Sequence, residues 1–469
     1  MSTRADHIRP RRLGPVTVHL RRVRLTYLDL RRSLLPGTAA IIASTLVALL
    51  LADALTFSRT RAIAIVYLAA ALAAVAARGL LGLAQLFAAT VPWLVVLGTR
   101  LPRLTETFAA ASLAALVYLV AVPRGRTRHS FLLRLGIVCF YGPVLLSLAR
   151  EGYGDQFIQA AKYAVFPTIV LAMAEATNHR GLASLASIAF VSGILAVGTN
   201  LALGLAGVSA FSTYGAGEIL GLAGAHDLSL LAGCLTAASL AATASLKWWP
   251  ATAVGAIATV ATGVRSTLPG LAALAFARMV AAGARIRTIA LVSLAVAAVF
   301  LSGAAAVIEA RYRTGESTGE FESFSALGSG RGEVWSTAIA AWSASSPIDW
   351  FLGLGLRAIP RLEEEKIGAP FVGHSDLVEV GVQLGIIGLV GLILIWWVLI
   401  SSARSKAPLI PILSFAVFSG ALEYGAPLVL GVLLTAWHAD EPQATRTAER
   451  LRLLRSGRRA RRPLVSSQP

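Results

Sequence analysis

The most constraining feature of this sequence is a succession of long apolar segments separated by short polar ones. A helix that spans a bilayer needs about 20 mainly apolar residues, because lipid offers no partner for backbone amides and carbonyls. Fourteen segments approach that length: 37–57, 62–77, 79–99, 106–122, 131–149, 162–177, 182–200, 227–246, 248–263, 268–284, 288–308, 377–400, 407–421 and 424–438. Several are short or rich in glycine, so we expect about 12–14 transmembrane helices. The predicted fold class is an all-α polytopic integral membrane helix bundle, with a large outer loop that carries short helices.

The composition supports this prediction. Hydrophobic residues make up 56% of the chain and charged residues only 14%, against about 25% charged residues in a typical soluble domain. The formal net charge of +18 would suggest nucleic acid in a soluble chain. In so apolar a chain it indicates membrane lipid as the partner, and we expect no nucleic acid. The two cysteines lie in apolar segments, which excludes a disulfide framework and a Cys-rich metal site.

The distribution of Lys and Arg predicts the orientation. If the N-terminus is cytoplasmic, the inner segments hold 29 of the 42 Lys and Arg residues, as the positive-inside rule requires. Both termini are then cytoplasmic. The chain divides into a basic tail (1–35), a transmembrane bundle of about 11 helices (36–308), an outer loop (309–376), C-terminal transmembrane helices (377–438) and a second basic tail (439–469).

The outer loop is the exception among short connections, and loops of this length are usually functional or disordered. Its first part, Thr314 to Gly330, is polar and rich in Gly and Ser, which predicts a mobile strap. Trp335, Ile339 and Trp342 then recur at helical spacing. This pattern predicts a helix with one apolar face, which either lies in the outer membrane interface or covers the bundle.

His374 ends the loop where the twelfth predicted span begins, close to Asp376 and Glu379. A histidine at the lip of a membrane cavity and near carboxylates is a candidate general base. The alternative is a capping or packed polar residue. Asp376 and Glu379 could also hold Mg²⁺ against a diphosphate, although two carboxylates alone are a weak signal.

Arginines on the outer side suggest an anion site, because a guanidinium is shaped for bidentate phosphate contact. Arg265 lies at the outer end of a predicted span, and Arg331, Arg357 and Arg361 follow in the loop. Snorkelling is the alternative for Arg265 and for Arg361, and Arg361 could also pair with the acidic run 363–365. The chain has neither a phosphate-binding P-loop nor a zinc motif, so we expect no metal and no cofactor.

These residues resemble the C-terminal signature of the O-antigen ligase and O-antigen polymerase superfamily. The elements that carry the resemblance are Thr262-Gly-Val-Arg265, Arg331-Gly-Glu-Val-Trp335, Pro347, Gly353-Leu-Gly355, His374-Ser375 and Leu384-Gly-Ile-Ile-Gly388-Leu389. Together they cover roughly residues 260–400. Four segments depart from the family pattern: Ser375 replaces Asn, Val264 replaces Ser, Gln383 stands where Glu is common, and Ala225-His226-Asp227 stands where Pro-Asn is frequent.

The resemblance implies a bacterial inverting glycosyltransferase of the cytoplasmic membrane. Such enzymes take glycan from a polyprenyl diphosphate on the outer face and transfer it to an acceptor hydroxyl on a glycan or glycolipid, without metal. It implies that His374 is the base and that Arg265 holds the diphosphate. Arg331, Arg357 and Asp376 join the expected substrate-binding residues. The alternatives are a transporter or flippase of a lipid-linked glycan or anionic solute, and a non-catalytic scaffold for envelope assembly.

Overall fold

The computed structural model describes residues 80–97, 102–121, 128–151, 154–175, 179–207, 222–242, 248–262, 264, 266–281, 331–367 and 374–437. Every regular element within these ranges is an α-helix, which confirms the predicted fold class. The predicted spans 37–57, 62–77 and 288–308 lie outside the described residues. So do both basic tails, the predicted strap and Arg265.

The described helices are numbered in chain order. Eight precede the outer loop: α1 (Leu80–Leu97), α2 (Pro102–Ala121), α3 (Arg128–Glu151), α4 (Gly154–Glu175), α5 (His179–Leu205), α6 (Ala225–Ala241), α7 (Trp249–Ala261) and α8 (Leu268–Ala281). Three belong to the loop: α9 (Arg331–Ser343), α10 (Pro347–Leu352) and α11 (Ala358–Ile367). Three follow it: α12 (Asp376–Ser402), α13 (Leu409–Phe418) and α14 (Gly425–Leu434).

Each predicted span that falls on described residues overlaps one helix. Four of these helices, α3, α4, α5 and α12, are long and apolar enough to cross a membrane. The apolar stretches of the other helices in these spans are shorter, between 10 and 17 residues. The chain is therefore a membrane helix bundle.

Close packing of α3 against α12 depends on two glycines. A Cβ on Gly136 would lie 2.9 Å from Leu394 Cβ, and a Cβ on Gly391 would overlap the backbone of Phe140. Small residues let helix backbones approach closely in a membrane, where lipid provides little hydrophobic drive for helix association. The two contacts run in opposite order along the two helices, so α3 and α12 are antiparallel.

A buried ion pair joins three helices at the end of the bundle away from His374. Arg134 of α3 pairs with Glu175, the last residue of α4. The same guanidinium donates to the carbonyls of Val120 (2.9 Å) and Leu119 (3.2 Å) at the end of α2. The last carbonyls of a helix have no partner within the helix. Arg134 therefore links the ends of α2 and α4.

The last two helices are shorter than the sequence predicts. The apolar segments 407–421 and 424–438 contain helices of only 10 residues each, about 15 Å long against a hydrocarbon core of about 30 Å. They form a short hairpin whose turn, residues 419–424, approaches the start of α12. Polar residues and glycines in this turn end the helical hydrogen bonding early, which the mean hydropathy of the segments does not reveal.

Candidate functional site

His374 lies immediately before α12 in a constrained backbone conformation. Its φ is +50°, in the left-handed region that residues other than glycine adopt infrequently. Its backbone N–H donates to Glu379 Oε1 at 3.0 Å, and Glu379 is buried one turn into α12. The half-buried His374 side chain is therefore presented from a fixed backbone.

The His374 imidazole belongs to a cluster of four rings that is joined to it through His226. The ring of His226, the second residue of α6, lies 6.1 Å from that of His374, with an interplanar angle of 14°. The Tyr424 ring is parallel to that of His226, with centroids 5.7 Å apart, and the Phe415 ring meets that of His226 edge-on, with centroids 6.2 Å apart. The four residues, called the ring cluster below, come from four separate parts of the chain. The sequence placed His374 at the end of the outer loop but did not join His226 to it.

Asp376 holds the turn of the α13–α14 hairpin. Its two side-chain oxygens accept the backbone N–H groups of Ala421 (3.0 Å) and Leu422 (3.1 Å). Asp376 is 1% exposed. Irregular backbone at membrane depth is tolerated only where protein satisfies its polar groups, and Asp376 does so here. The carboxyl group thus supports the turn that carries Tyr424.

The segment that contains Arg265 meets the same turn. Arg265 itself lies outside the described residues, but its neighbour Ser266 forms a hydrogen bond with the Ser419 hydroxyl. Ser414 Oγ also donates to the Ser266 carbonyl at 2.5 Å. Gly420 follows directly, and a Cβ on it would lie 3.7 Å from the His374 carbonyl carbon. The chain on the C-terminal side of Arg265 and the predicted base are therefore at the same end of the bundle.

An ion pair that the sequence did not predict lies beside Tyr424. Glu423 accepts a hydrogen bond from Gln159 and pairs with Lys162 at 3.0 Å, both from α4. The available signal was the charge itself, since a Lys and a Glu within apolar segments are functional hypotheses by default. Only the fold shows that they form a pair.

The Gly353-Leu-Gly355 segment docks into a break in α12. Gly385, with φ +68°, interrupts the helix and leaves two carbonyls without helical partners. The N–H groups of Leu354 and Gly355 donate to the carbonyls of Val382 (2.8 Å) and Gln383 (3.1 Å). A Cβ on Gly353 would overlap the Gln383 carbonyl. Glycine is required at position 353 because the loop backbone contacts the backbone of α12 there.

Arg357 follows this docked segment and is the second described non-glycine residue with positive φ, at 61°. Its N–H donates to Gln383 Oε1 at 2.6 Å, and the N–H of Leu356 donates to Ser147 Oγ of α3 at 2.8 Å. Gln383 lies seven residues beyond Asp376, which is about 10 Å along α12. Arg357 therefore belongs to the same end of the bundle but not to the ring cluster.

The loop helices cover the start of α12. Val334, Ala338 and Trp342 of α9 pack on Ile359 and Val382, whereas Ile339 is 46% exposed. Trp342 packs as the predicted stripe requires, but Val334 and Ala338 take the places expected of Trp335 and Ile339, and α9 covers the bundle. Arg331 begins α9, but its side chain lies outside the described residues. Arg361 donates to the Leu354 carbonyl at 3.4 Å.

Glu363 of α11 is the buried acid of the loop. It is 2% exposed, and its Oε1 has no hydrogen-bond partner among the described residues. Burial raises the pKa of this carboxyl, an effect that nearby Lys366 partly opposes.

Comparison with known proteins agrees with the fold and the motifs. The family model for O-antigen ligase matches residues 250–393, which include all five predicted site residues but not His226 or Tyr424. No curated protein matches the chain. The family match confirms the resemblance and supports membership of the O-antigen ligase/polymerase superfamily. It supports a membrane glycosyl-transfer function in polysaccharide assembly and, with the apolar helices, a bacterial inner-membrane location.

Proposed function

We propose that this protein transfers or polymerises glycan from a polyprenyl-diphosphate donor to an acceptor hydroxyl on the outer face of the cytoplasmic membrane. The product would be a surface polysaccharide or a cell-wall glycan. The observation that carries the proposal is the convergence of His374 and the segment after Arg265, both within the family-matched residues 250–393, at one turn of the α13–α14 hairpin. Metal independence rests on the family resemblance.

His374 is the proposed base. The acceptor hydroxyl oxygen attacks the anomeric carbon of the donor from the face opposite the diphosphate, and the carbon–oxygen bond to the diphosphate breaks with inversion. The acceptor proton passes to the His374 imidazole. The fixed backbone and partial burial of His374 support this role, because proton transfer needs a group held within hydrogen-bond reach of the acceptor.

Arg265 is the proposed diphosphate clamp. The leaving polyprenyl diphosphate is a stable anion, so the reaction needs positive charge near it more than a strong general acid. Arg265 directly precedes Ser266, whose hydroxyl contacts Ser419. Arg331 and Arg357 are proposed contacts to diphosphate or glycan. Asp376, which the resemblance places among the substrate-binding residues, has a proposed supporting role, since its oxygens accept two backbone N–H groups.

Glycan transfer in proteoliposomes tests the proposal. The full-length chain would be supplied with a polyprenyl-diphosphate oligosaccharide and an acceptor, and wild type would be compared with His374→Ala and Arg265→Ala. We expect loss of transfer in both variants while both melt as wild type does. Arg404→Ala is the matched control, because Arg404 is an exposed arginine beyond the far end of α12. Movement of the lipid carrier without bond formation would overturn the proposal and favour a flippase.

Ligase and polymerase activities differ in the acceptor alone. A ligase joins the glycan to a different lipid or polymer, whereas a polymerase joins it to another lipid-linked repeat. Chain-length analysis of surface glycan in a deletion strain separates them. Loss of a polymerase leaves single repeat units, and loss of a ligase leaves long chains on the lipid carrier.

A further inference from the structure

We propose that His226 is a positioning residue that orients the His374 imidazole through ring stacking. This inference rests on the proposed function. His226 lies outside the segment that the O-antigen ligase family model matches, yet its ring is nearly parallel to that of His374 at 6.1 Å.

His226 occupies the centre of the ring cluster. Its ring is parallel to Tyr424 within 7° and meets Phe415 edge-on. Phe415 and Tyr424 also meet edge-on, with centroids 5.3 Å apart. Offset-stacked and edge-to-face pairs are the favoured aromatic arrangements at these distances. The rings from α13 and from the start of α14 therefore fix the His226 ring of α6, which lies against His374.

Hydrogen bonds to α5 and to the segment before α8 fix the backbone around His226. Asn200 of α5 is fully buried, and its Oδ1 accepts the N–H groups of Leu222 (2.8 Å) and Ala223 (3.1 Å) just before α6. One turn into α6, Ser229 Oγ hydrogen-bonds Thr267 Oγ1 at 2.7 Å. Thr267 is two residues after Arg265. The start of α6 is thus tied to the segment that carries the proposed clamp.

Orientation matters because a base must direct its lone pair at the acceptor hydroxyl. The backbone of His374 is fixed by Glu379, but this contact does not restrict the side-chain rotation of the imidazole. A displacement of about 1 Å in a reacting group can cost about 100-fold in rate. A stacked neighbour restricts that rotation without contacting substrate, so its loss should lower kcat and leave donor binding almost unchanged.

Two substitutions separate ring stacking from proton transfer. His226→Ala removes the ring, whereas His226→Phe keeps an aromatic ring that cannot carry a proton. In the proteoliposome assay we expect kcat to fall by about 10- to 100-fold in His226→Ala. The KM for lipid-linked donor should change by less than about threefold, and His226→Phe should recover most of kcat. The matched control is Phe131→Ala, since Phe131 is 67% exposed on α3.

A second measurement does not depend on turnover. Acylation of His374 by diethyl pyrocarbonate, followed by mass spectrometry, should be several-fold faster in His226→Ala than in wild type and unchanged in His226→Phe. Tyr424→Leu provides the same readout if His226→Ala does not fold, because it removes a ring that lies parallel to His226 at 5.7 Å.

The outcomes are distinct. Unchanged kcat in His226→Ala, or kcat as low in His226→Phe as in His226→Ala, would overturn ring positioning. If wild type transfers no glycan, the proposed function fails. The His374 acylation rates then still decide whether His226 orders that ring, and equal rates would overturn the inference.

Discussion

The imidazoles of His226 and His374, 148 positions apart in the sequence, lie nearly parallel with centroids 6.1 Å apart. The first belongs to the start of α6 and the second immediately precedes α12. This pairing places the proposed base among rings from separate helices. The candidate site is therefore formed by residues of the helix bundle as well as by the end of the outer loop.

The docking of the loop into α12 predicts a large effect of a small substitution. Gly385→Ala should destabilise the protein by at least about 1–3 kcal/mol, because φ is +68° and the new methyl group would overlap the Phe351 backbone. Thermal melting in detergent measures the change. Gly142→Ala in α3 is the matched control, since a Cβ there meets nothing within 4 Å. If both variants melt alike, the docking is not structural.

Asp376→Asn tests the support of the hairpin turn. An amide offers one acceptor oxygen, so one of the two N–H groups would lose its partner and face an NH₂ group. We expect a loss of about 1–3 kcal/mol in the free energy of unfolding. Glu364→Gln, at an exposed position of α11, should leave that free energy unchanged. Equal stability of Asp376→Asn and wild type would contradict the support role.

Arg134→Leu should leave Glu175 buried without its cation. Glu175 is 4% exposed in its side chain, and removal of one partner of a buried pair costs about 3–5 kcal/mol. The exposed pair Lys366–Glu333 offers the contrast, because surface pairs contribute about 0–1 kcal/mol. Denaturant titration in micelles should therefore separate Arg134→Leu clearly from Lys366→Ala. Similar values for the two variants would refute the structural role of the buried pair.

The raised pKa of Glu363 predicts a pH-dependent effect on stability. Burial disfavours the charged carboxylate, so the folded state holds a proton more tightly than the unfolded state. The destabilisation that buried Glu363 causes is absent below the ordinary Glu pKa of about 4.5. It grows as pH rises from there through the raised pKa of Glu363 in the folded state. Glu363→Gln should raise the Tm at pH 8 but not at pH 4. A Tm difference that does not depend on pH would contradict the burial effect.

Much of the fold could be predicted because apolar segment length is a local property. The segments 131–149 and 377–400 predict α3 and α12 closely. The break at Gly385 and the early end of α13 could not be predicted. Both depend on partners distant in sequence, such as Leu354 for the freed carbonyl of Val382 and Asp376 for the turn at Ala421.

The candidate site, like the fold, could be predicted only in part. His374 and Arg357 could be singled out from their types and positions, and both have the positive φ that constrained positions show. The predicted face of α9 is wrong at Trp335 and Ile339 but not at Trp342, because the first two are large apolar residues that the fold leaves partly exposed. His226 and the Lys162–Glu423 pair could not be joined to the site, because only tertiary packing brings them there.

The most direct test of the central claim, that His374 and Arg265 serve one reaction at one site, is a double-mutant cycle on glycan transfer. Wild type, His374→Ala, Arg265→Ala and the double variant would be assayed in the same proteoliposomes. Groups that act as a unit are strongly non-additive. We predict that the double variant is no slower than the slower single variant. Two rate losses that simply multiply in the double variant would contradict a shared site.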